Sequence, residues 1–467
     1  MATKNLLESY KKRISLAESL YSKSHNGEPM DNTRRLATAK CLDNINRFMN
    51  ESFTTAQATQ RADMGTWKRF CLNLTNIAVP NLIAPDLVLV YPMSSMAGYF
   101  AYLSYQFGSD KGAIKAGDVY SDAFHLGDVD PNYTAEKVVE TFKITTAGDS
   151  ADIKVAWSPI FYDGEVDYDY ITAGKDVRTG KLNPVVVSVN GVAVDAGAYT
   201  VTVTGDANDT LHIAKGTGAA FAQNDEVKVK YCYDNTIIPQ NNLPTLKAEM
   251  KSIPLLAKAR RIVVHYSQMA QFQSKTDYGF DLGEQISKQA VGEVMYEIDS
   301  EVINLLMETA AEDANLVWSK TLPVGVSKQE HYEGFAEVLE IAKANIYNKT
   351  KRFSPNYMLI AADVLPVISF IKGFQAAPTT NINGAYLCGT LNGLRVYVSP
   401  IIKSGEFAIG VNGNDGYSSV AVYAPYMPVV PTALLQTPDG ATSQGFSTLY
   451  DLKVLNKDLI VRGRVTA

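Results

Sequence analysis

The sequence predicts an α+β chain that carries a small inserted β-sandwich. Three observations point there. The stretch DLGEQISKQAVGEVMYEIDSEVINLLMETA, Asp281 to Ala310, has the apolar periodicity of one long helix. Residues 330 to 425 alternate helical and strand-like runs, as helices packed on a mixed sheet would. Residues 115 to 235 lose helical periodicity and break into short alternating strands between turn signals.

Composition sets the bounds. A chain of 467 residues has room for about three domain-sized units. At 46% hydrophobic, 20% charged and mean hydropathy −0.08, most of it should fold into globular structure. A net charge of −6 argues against a general nucleic-acid binder. Cys41, Cys71, Cys232 and Cys388 are far apart and form no C-x-x-C pair, which suggests reduced thiols in a cytoplasmic setting. The opening MATKNLLESYKKRISLAESL lacks the apolar core and cleavage site of a secretory signal.

Residues 1 to 60 read as short polar helices, broken at HNGEP (His25 to Pro29) and near TTAQATQ. Few apolar positions recur there, so this arm is expected to pack on something else. Residues 1 to 70 hold 12 Lys/Arg against 7 Asp/Glu, whereas residues 118 to 170 hold 12 acidic against 3 basic residues. Two solvated surfaces would explain this asymmetry; so would different surroundings for arm and acidic segment in an assembly.

Apolar, β-rich segments around a turn at Pro92 follow over 79 to 107. From Leu87 to Ser109 no residue is charged. A membrane helix needs about 20 apolar residues, but Ser94, Ser95, Tyr99, Ser104, Tyr105 and Gln106 dilute this run. Pro92 also removes a backbone donor that lipid cannot replace. A buried strand or a surface that meets another chain fits better.

In the 115 to 235 segment, KVAWSPI, NPVVVSV, AYTVTVTG, TLHIAKG and DEVKVKYCY are separated by Asn190-Gly191, Gly205-Asp206 and Gly216-Thr217-Gly218. Alternation places Val227, Val229 and Tyr231 on one face, with Lys228 and Lys230 on the other. The stretch LKAEMKSIPLLAKARRIVVHYS is then strand-rich.

In the long helix, Asp281 with Glu284 resembles a capping box. Leu282, Ile286, Val291, Val294, Ile298, Val302 and Leu305 form one stripe. At ~1.5 Å per residue, about 28 residues make a rod of roughly 42 Å. Further on, EHYEGFAEVLEIAKANIYN reads as a helix, NYMLIAA as a buried strand and DVLPVISFIKGF as a short helix. Strands are expected at LRVYVSP, EFAIGVNG and SSVAVYAPY, with two more in GFSTLYDLKVLNKDLIVRGRV.

A reactive centre is not legible. GTGAA at 216 to 220 lacks the Gly-Lys-Ser/Thr of a phosphate loop, and neither G-x-S-x-G nor H-E-x-x-H occurs. His25, His125, His212, His265 and His331 are scattered without ligand spacing. In YDGEVDYDY, Asp163, Glu165, Asp167 and Asp169 would share one strand face. Such a row could gather calcium, but an exposed acidic edge is the preferred reading. Tyr162, Tyr168 and Tyr170 between them suit ordinary packing or a contact surface. No catalytic residue, metal or cofactor is assigned, and 26 tyrosines are compatible with extensive protein contact.

Four stretches, in order, resemble the major capsid proteins of T-even-like tailed phages. DLVLVYPMSSMAGYFAYLSYQFGS is similar to that family's apolar strand, Gln-Pro-Met turn and second apolar run, with Tyr91 where Gln is usual. LKAEMKSIPLLAKARRIVVHYSQMAQFQSKTDYGFDLGEQISKQAVGEVMYEIDSEVINLLM resembles the entry to a spine helix. NYMLIAADVLPVISFIKG resembles the axial strand–helix pair, and SSVAVYAPYMPVVPT the Tyr-Ala-Pro-Tyr strand. Together these cover roughly half the chain.

The resemblance implies a Hong Kong 97-type fold: N-terminal arm (1–75), start of an extended loop (76–114), a β-rich insertion (115–235), a peripheral domain with spine helix 281–310 (236–325), an axial domain (326–440) and C-terminal peripheral strands (441–467). Asn356 to Ala361 and Ser419 to Tyr423 are expected together in the axial sheet. It implies a non-enzymatic subunit that forms hexameric capsomers of a phage head, assembled in host cytoplasm; a pentameric vertex protein of the same fold is the alternative. Expected partners are other copies, vertex, portal and scaffold proteins, a decoration protein and packaged DNA, with no membrane. Leu87, Val90, Pro92, Met93, Tyr99, Phe100 and Leu103 are candidate inter-subunit contacts, and Lys11, Lys12, Arg13, Arg34 and Arg35 candidates to face genome or scaffold. Family members are often trimmed after Leu/Ile-x-Glu, a pattern that Leu6-Leu7-Glu8 and Leu16-Ala17-Glu18 fit.

Overall fold

The computed structural model describes residues 2–24, 28–55, 72–121, 133–135, 137–157, 185–193, 199–203, 210–215, 221–233, 243–279, 282–377, 384–413, 415–432, 435–436 and 441–466. Contacts divide the chain into two units. One spans Met1–Tyr102 and Lys251–Ala467; the other lies within Leu103–Met250. This division falls outside the expected 115–235, because the strands Ala97–Phe107 and Leu246–Leu256 each run through it.

In the first unit, Ala2–Ser9, Lys11–Ser24 and Asn32–Thr55 are helices. Their sparse apolar residues suffice for packing: Ile14, Ala17, Tyr21, Leu42, Ile45 and Met49 are buried. What the arm packs on is this chain's own core, where Leu42, Ile45 and Met49 meet Val422, Ala424 and Met427.

A five-stranded sheet runs Leu89–Val90, Ala421–Pro431, Ala441–Val454, Lys258–Ser267, with Leu435–Gln436 paired to Ala441–Val454. A seven-stranded sheet runs Ala311–Ser319, Ile460–Thr466, Glu406–Gly410, Tyr357–Ala361, Leu394–Ser399, Tyr386–Leu391, Gln375–Ala376. Tyr357–Ala361 lies between two neighbours and is buried throughout, as its unbroken apolar run demands.

Sheet membership departs from the sequence reading. Asn356 to Ala361 and Ser419 to Tyr423 do not share a sheet. After Glu406–Gly410 the chain turns, and Ala421–Pro431 pairs in parallel with Leu89–Val90 and antiparallel with Ala441–Val454. Of the two C-terminal strands, Ile460–Thr466 returns to the seven-stranded sheet instead of following its predecessor. Pairings this distant in sequence leave no local signature.

The long helix is Leu282–Thr309, 28 residues. Val291, Val294, Ile298 and Val302 are buried as the stripe requires; beyond them burial passes to Ile303, Leu306 and Met307, leaving Leu305 half-buried. Each buried aliphatic contributes roughly 1.5–3 kcal/mol of burial. Asp281 of the expected capping box lies outside the described residues. Polar groups also join helix and sheet: Ser287 donates to Gln444 (3.3 Å), and Glu301 accepts from Tyr450 and Arg260 (both 2.5 Å). The expected helix at 330 to 348 is two, Lys328–Glu333 and Phe335–Thr350, the first opened by a Ser327–Glu330 capping box.

The second unit pairs a four-stranded sheet (Lys137–Lys143, Glu226–Cys232, Val185–Val189, Val192–Ala193) with a three-stranded one (Ser150–Lys154, Thr210–Lys215, Tyr199–Val203). Both feed one core with Val138, Ile153, Val187, Ile213, Val227 and Val229. Asn190 and Gly191 both have positive φ, 51° and 80°, the two-residue hairpin their sequence signals. Lys111 is buried at the margin of this unit. Its ammonium donates to the Tyr133 carbonyl (2.9 Å), the Ala135 carbonyl and Tyr233 Oη (3.0 Å), and lies over the Trp157 and Tyr233 rings.

A charged node joins three distant parts of the first unit. Arg34, 3% exposed, lies 2.7 Å from Asp86 and donates to the carbonyls of Pro80 (2.6 Å) and Leu82 (2.8 Å). On the long helix, buried Asp299 accepts from the backbone N–H groups of Ile83 (3.0 Å) and Ala84 (2.9 Å). Burial pushes the Asp299 carboxyl up to about 7, against the lowering effect of those N–H groups. Arg34→Ala should lower the unit's stability by about 3 kcal/mol, since it strands two carbonyls and leaves Asp86 only Tyr397 and the more distant Arg395; Lys12→Ala should change it by less than about 0.5 kcal/mol. Urea unfolding of both variants checks this.

Asp299 also gives stability a pH dependence. Unfolded, it releases its proton near pH ~3.9; folded, it holds it to about 7. Between those values the native state carries the extra proton, so its contribution is greatest below about pH 4, declines as pH rises, and is lost above about 7. Asp299→Asn keeps an oxygen for Ile83 and Ala84 but does not titrate. Relative to the native chain it should therefore gain up to ~4 kcal/mol between pH 4 and 8. Parallel stability profiles for the two proteins would contradict this.

Candidate assembly surfaces

The charge-free run begins inside the protein. Asp86 closes the node, and Leu89–Val90 pairs with Val422 and Tyr423. Beyond it, Tyr91 N donates to the Tyr423 carbonyl and Met93 N to the Pro425 carbonyl, both at 2.9 Å. Pro92 stands between two successive donors, where a strand residue's N–H would point away from the partner, so the proline costs the ladder nothing. Asn44 Nδ2 secures the same place, donating to the carbonyls of Met93 (2.8 Å) and Tyr426 (2.9 Å).

From Ala97 the run becomes a ribbon. Ala97–Phe107 pairs with Leu246–Leu256 on one side and Val119–Ser121 on the other. The bonds Ala257 N to Met96 O (2.8 Å) and Gly108 N to Thr245 O (2.7 Å) define one antiparallel register. In it Ala97 faces Leu256, Tyr99 faces Pro254 and Ala101 faces Ser252. All six are exposed, Tyr99 at 69%. They share one face, because strand residues alternate sides. The opposite face holds Phe100 and Leu255 in the core of the first unit, with Tyr91 edge-on to Phe100 at 5.2 Å. Pro254 has its nitrogen toward the open edge, which blunts that edge against further pairing. Leu103 and Met250, in the second unit, are also exposed.

The seven contact candidates thus divide. Leu87, Val90, Met93 and Phe100 are buried within the chain itself, and Pro92 is half-buried. Tyr99 and Leu103 face outward. Sequence reasoning missed Met96, Pro254 and Leu256 as companions of Tyr99, although LKAEMKSIPLL does alternate, with Lys247, Glu249 and Lys251 all on odd positions.

The basic candidates divide as well. Lys11 and Lys12 are exposed and Arg13 is half-buried, 3.4 Å from Asn73 Oδ1. Arg35 pairs with Glu18 at 2.7 Å. Arg34 is committed to Asp86 and buried, because two carbonyls and a carboxylate together replace the water it loses. The acidic row Asp163, Glu165, Asp167 and Asp169, and His25 and His125, lie outside the described residues. Among the described residues no three His, Cys, Asp or Glu side chains converge as a metal site, and no helix is long and apolar enough to cross a membrane.

Residues 64–463 match the family model described as Major capsid protein Gp23. The major capsid protein of Escherichia phage AR1 is 23% identical over 408 residues, covering 82% of this chain and 74% of that protein. That of Enterobacteria phage T4 is 22% identical over 409 residues, with the same two coverages. A solved chain from Mycobacterium phage Bobi aligns over 50% of this chain and 80% of its own at 13% identity, with a TM-score of 0.34. With 400 consecutive residues matched, the chain belongs to the Gp23 major capsid protein family, structural proteins of the phage virion and not enzymes.

Proposed function

We propose that this protein self-assembles into hexameric capsomers of a Hong Kong 97-type shell, icosahedral or prolate, that encloses double-stranded DNA. The observation that carries this reading is the outward, uncharged ribbon face of Tyr99, Pro254, Leu256, Ala97 and Ala101, with Met96 beside it. An apolar face of this kind suits burial against another protein. The long helix supplies a stiff strut, and head-to-tail contacts repeated by rotation close rings. Family membership supports the hexameric role over the pentameric vertex role. Many modest contacts per subunit would add up to a durable shell.

Lys11 and Lys12, exposed on the basic arm, suit contact with packaged DNA or scaffold, each offsetting phosphate or carboxylate charge. Arg34 and Arg35 are better explained by their partners within the chain. Vertex, portal, scaffold and decoration proteins would complete the particle, and the β-rich unit would lie away from the DNA.

Sedimentation and negative-stain microscopy of the purified chain should give rings, sheets or shells. A strictly monodisperse monomer at high concentration would sink the proposal; five-fold rings alone would favour the vertex alternative. Tyr99→Asp should leave the monomer folded, as surface changes usually do, while raising the concentration needed for assembly about tenfold or more. Undiminished shell yield from that variant would remove the ribbon from the interface.

A further inference from the structure

Residues Thr321 to Ser327, TLPVGVS, form an uncharged stretch that is exposed at every position. Leu322 and Val326 are exposed, and Val324 is fully so. The stretch is nevertheless built, not loose. Val326 N donates to the Pro323 carbonyl (3.4 Å), and Gly325 has φ 92°, the third-position conformation of a type II turn with Val324 beside it at the apex. Lys320 N is tied to the Thr466 carbonyl (2.8 Å) at one end, and Ser327 caps the next helix at the other. An ordered apolar tip flanked by two exposed lysines, Lys320 and Lys328, results.

Elsewhere on the same unit, a groove of about 470 Å³ runs along the long helix. Its apolar lining comes from Tyr296, Leu305 and Ile401, and its carboxylates from Glu297, Glu301 and Glu308. The three glutamates fall within roughly 40° of one helix face. Glu301 is engaged by Arg260 and Tyr450, while Glu297 and Glu308 are exposed. Arg260 already offsets Glu301, so Glu297 and Glu308, roughly 16 Å apart along the helix, are the carboxylates that an approaching cation would meet.

We infer that the turn Leu322–Val326 of one copy docks in the groove of a second copy, with Val324 against Tyr296, Leu305 and Ile401 and the flanking lysines beside Glu297 and Glu308. The inference rests on the self-assembly proposed above and assigns it a second contact, separate from the ribbon. Complementarity is twofold: an apolar tip between cations matches an apolar floor between carboxylates. A rigid turn also loses little freedom on docking. Plug and groove are different surfaces, so the contact is head-to-tail, the kind that rotation closes into rings.

The test mixes two single variants, Val324→Cys and Ile401→Cys, during assembly and oxidises mildly. Disulfide formation requires the two Cα atoms to approach within about 7 Å. Expected is a covalent heterodimer of the two variants, well above the baseline of the unsubstituted chain treated alike. Particles that form without this cross-link overturn the inference and leave the shell reading intact; failure of the unsubstituted chain to assemble overturns the shell reading itself. A second arm needs no disulfide. Lys320→Glu with Lys328→Glu should reduce particle yield about tenfold while the monomer stays folded, and Glu297→Lys with Glu308→Lys on the same chain should restore it. Absence of rescue likewise overturns the docking.

Discussion

The first unit depends on a pair of carboxylates held at one short segment. Asp86, the last residue of Ile83–Asp86, takes Arg34 from the arm, and Asp299 of the long helix accepts from the backbone N–H groups of Ile83 and Ala84. An arginine removed from water needs every donor satisfied. Arg34 therefore sets where the arm helix, the 80–86 segment and the long helix must meet. Arg395 lies 3.6 Å from Asp86, and Asn412 Nδ2 donates to the Asp86 carbonyl (2.9 Å), which extends the node into the seven-stranded sheet region. With that origin fixed, Leu89–Val90 can enter its sheet in register, and the apolar run can turn outward beyond Met93.

This node also explains why the charge-free run has two characters. Its first part, to Met93, is enclosed by Asn44 and the strand at Tyr423–Pro425. Its second part alternates, one side interior and one side bare. Apolar composition alone cannot separate these, because a buried strand and an interface strand use the same residues. Pairing decides: Leu89–Val90 lies beside a strand buried at every position but Tyr426, whereas Ala97–Phe107 has a proline-bearing edge strand for a neighbour.

What is legible in the sequence is what rests on local periodicity or local chemistry. The 28-residue helix follows from its stripe, Tyr357–Ala361 from five apolar residues without a break, and the hairpin at Asn190-Gly191 from the two residue types that tolerate positive φ. Val227, Val229 and Tyr231 are buried as their alternation requires. The split of Lys328–Thr350 at Gly334 is less visible, since the apolar period continues across it. Arg34 is illegible: in a polar helix it reads as a solvated charge, and its partner stands 52 positions later. Sheet membership of Ala421–Pro431 is equally hidden, because Leu89–Val90 offers only two residues as a pairing signal. For the surfaces, motif resemblance indicates where to look but not which residues of the run point outward.

The two strands that carry the chain between its units approach each other closely where they end. Gly108 N and the Thr245 carbonyl are 2.7 Å apart, so the chain leaves and rejoins one ladder there, and within the excursion Val119–Ser121 returns to pair with Ala97–Phe107. Any autonomous domain whose own termini sit about one strand spacing apart, near 5 Å, meets the same boundary condition. A module exchanged at that gap would have to bring its own equivalent of Val119–Ser121, or leave one side of Ala97–Phe107 without a neighbour.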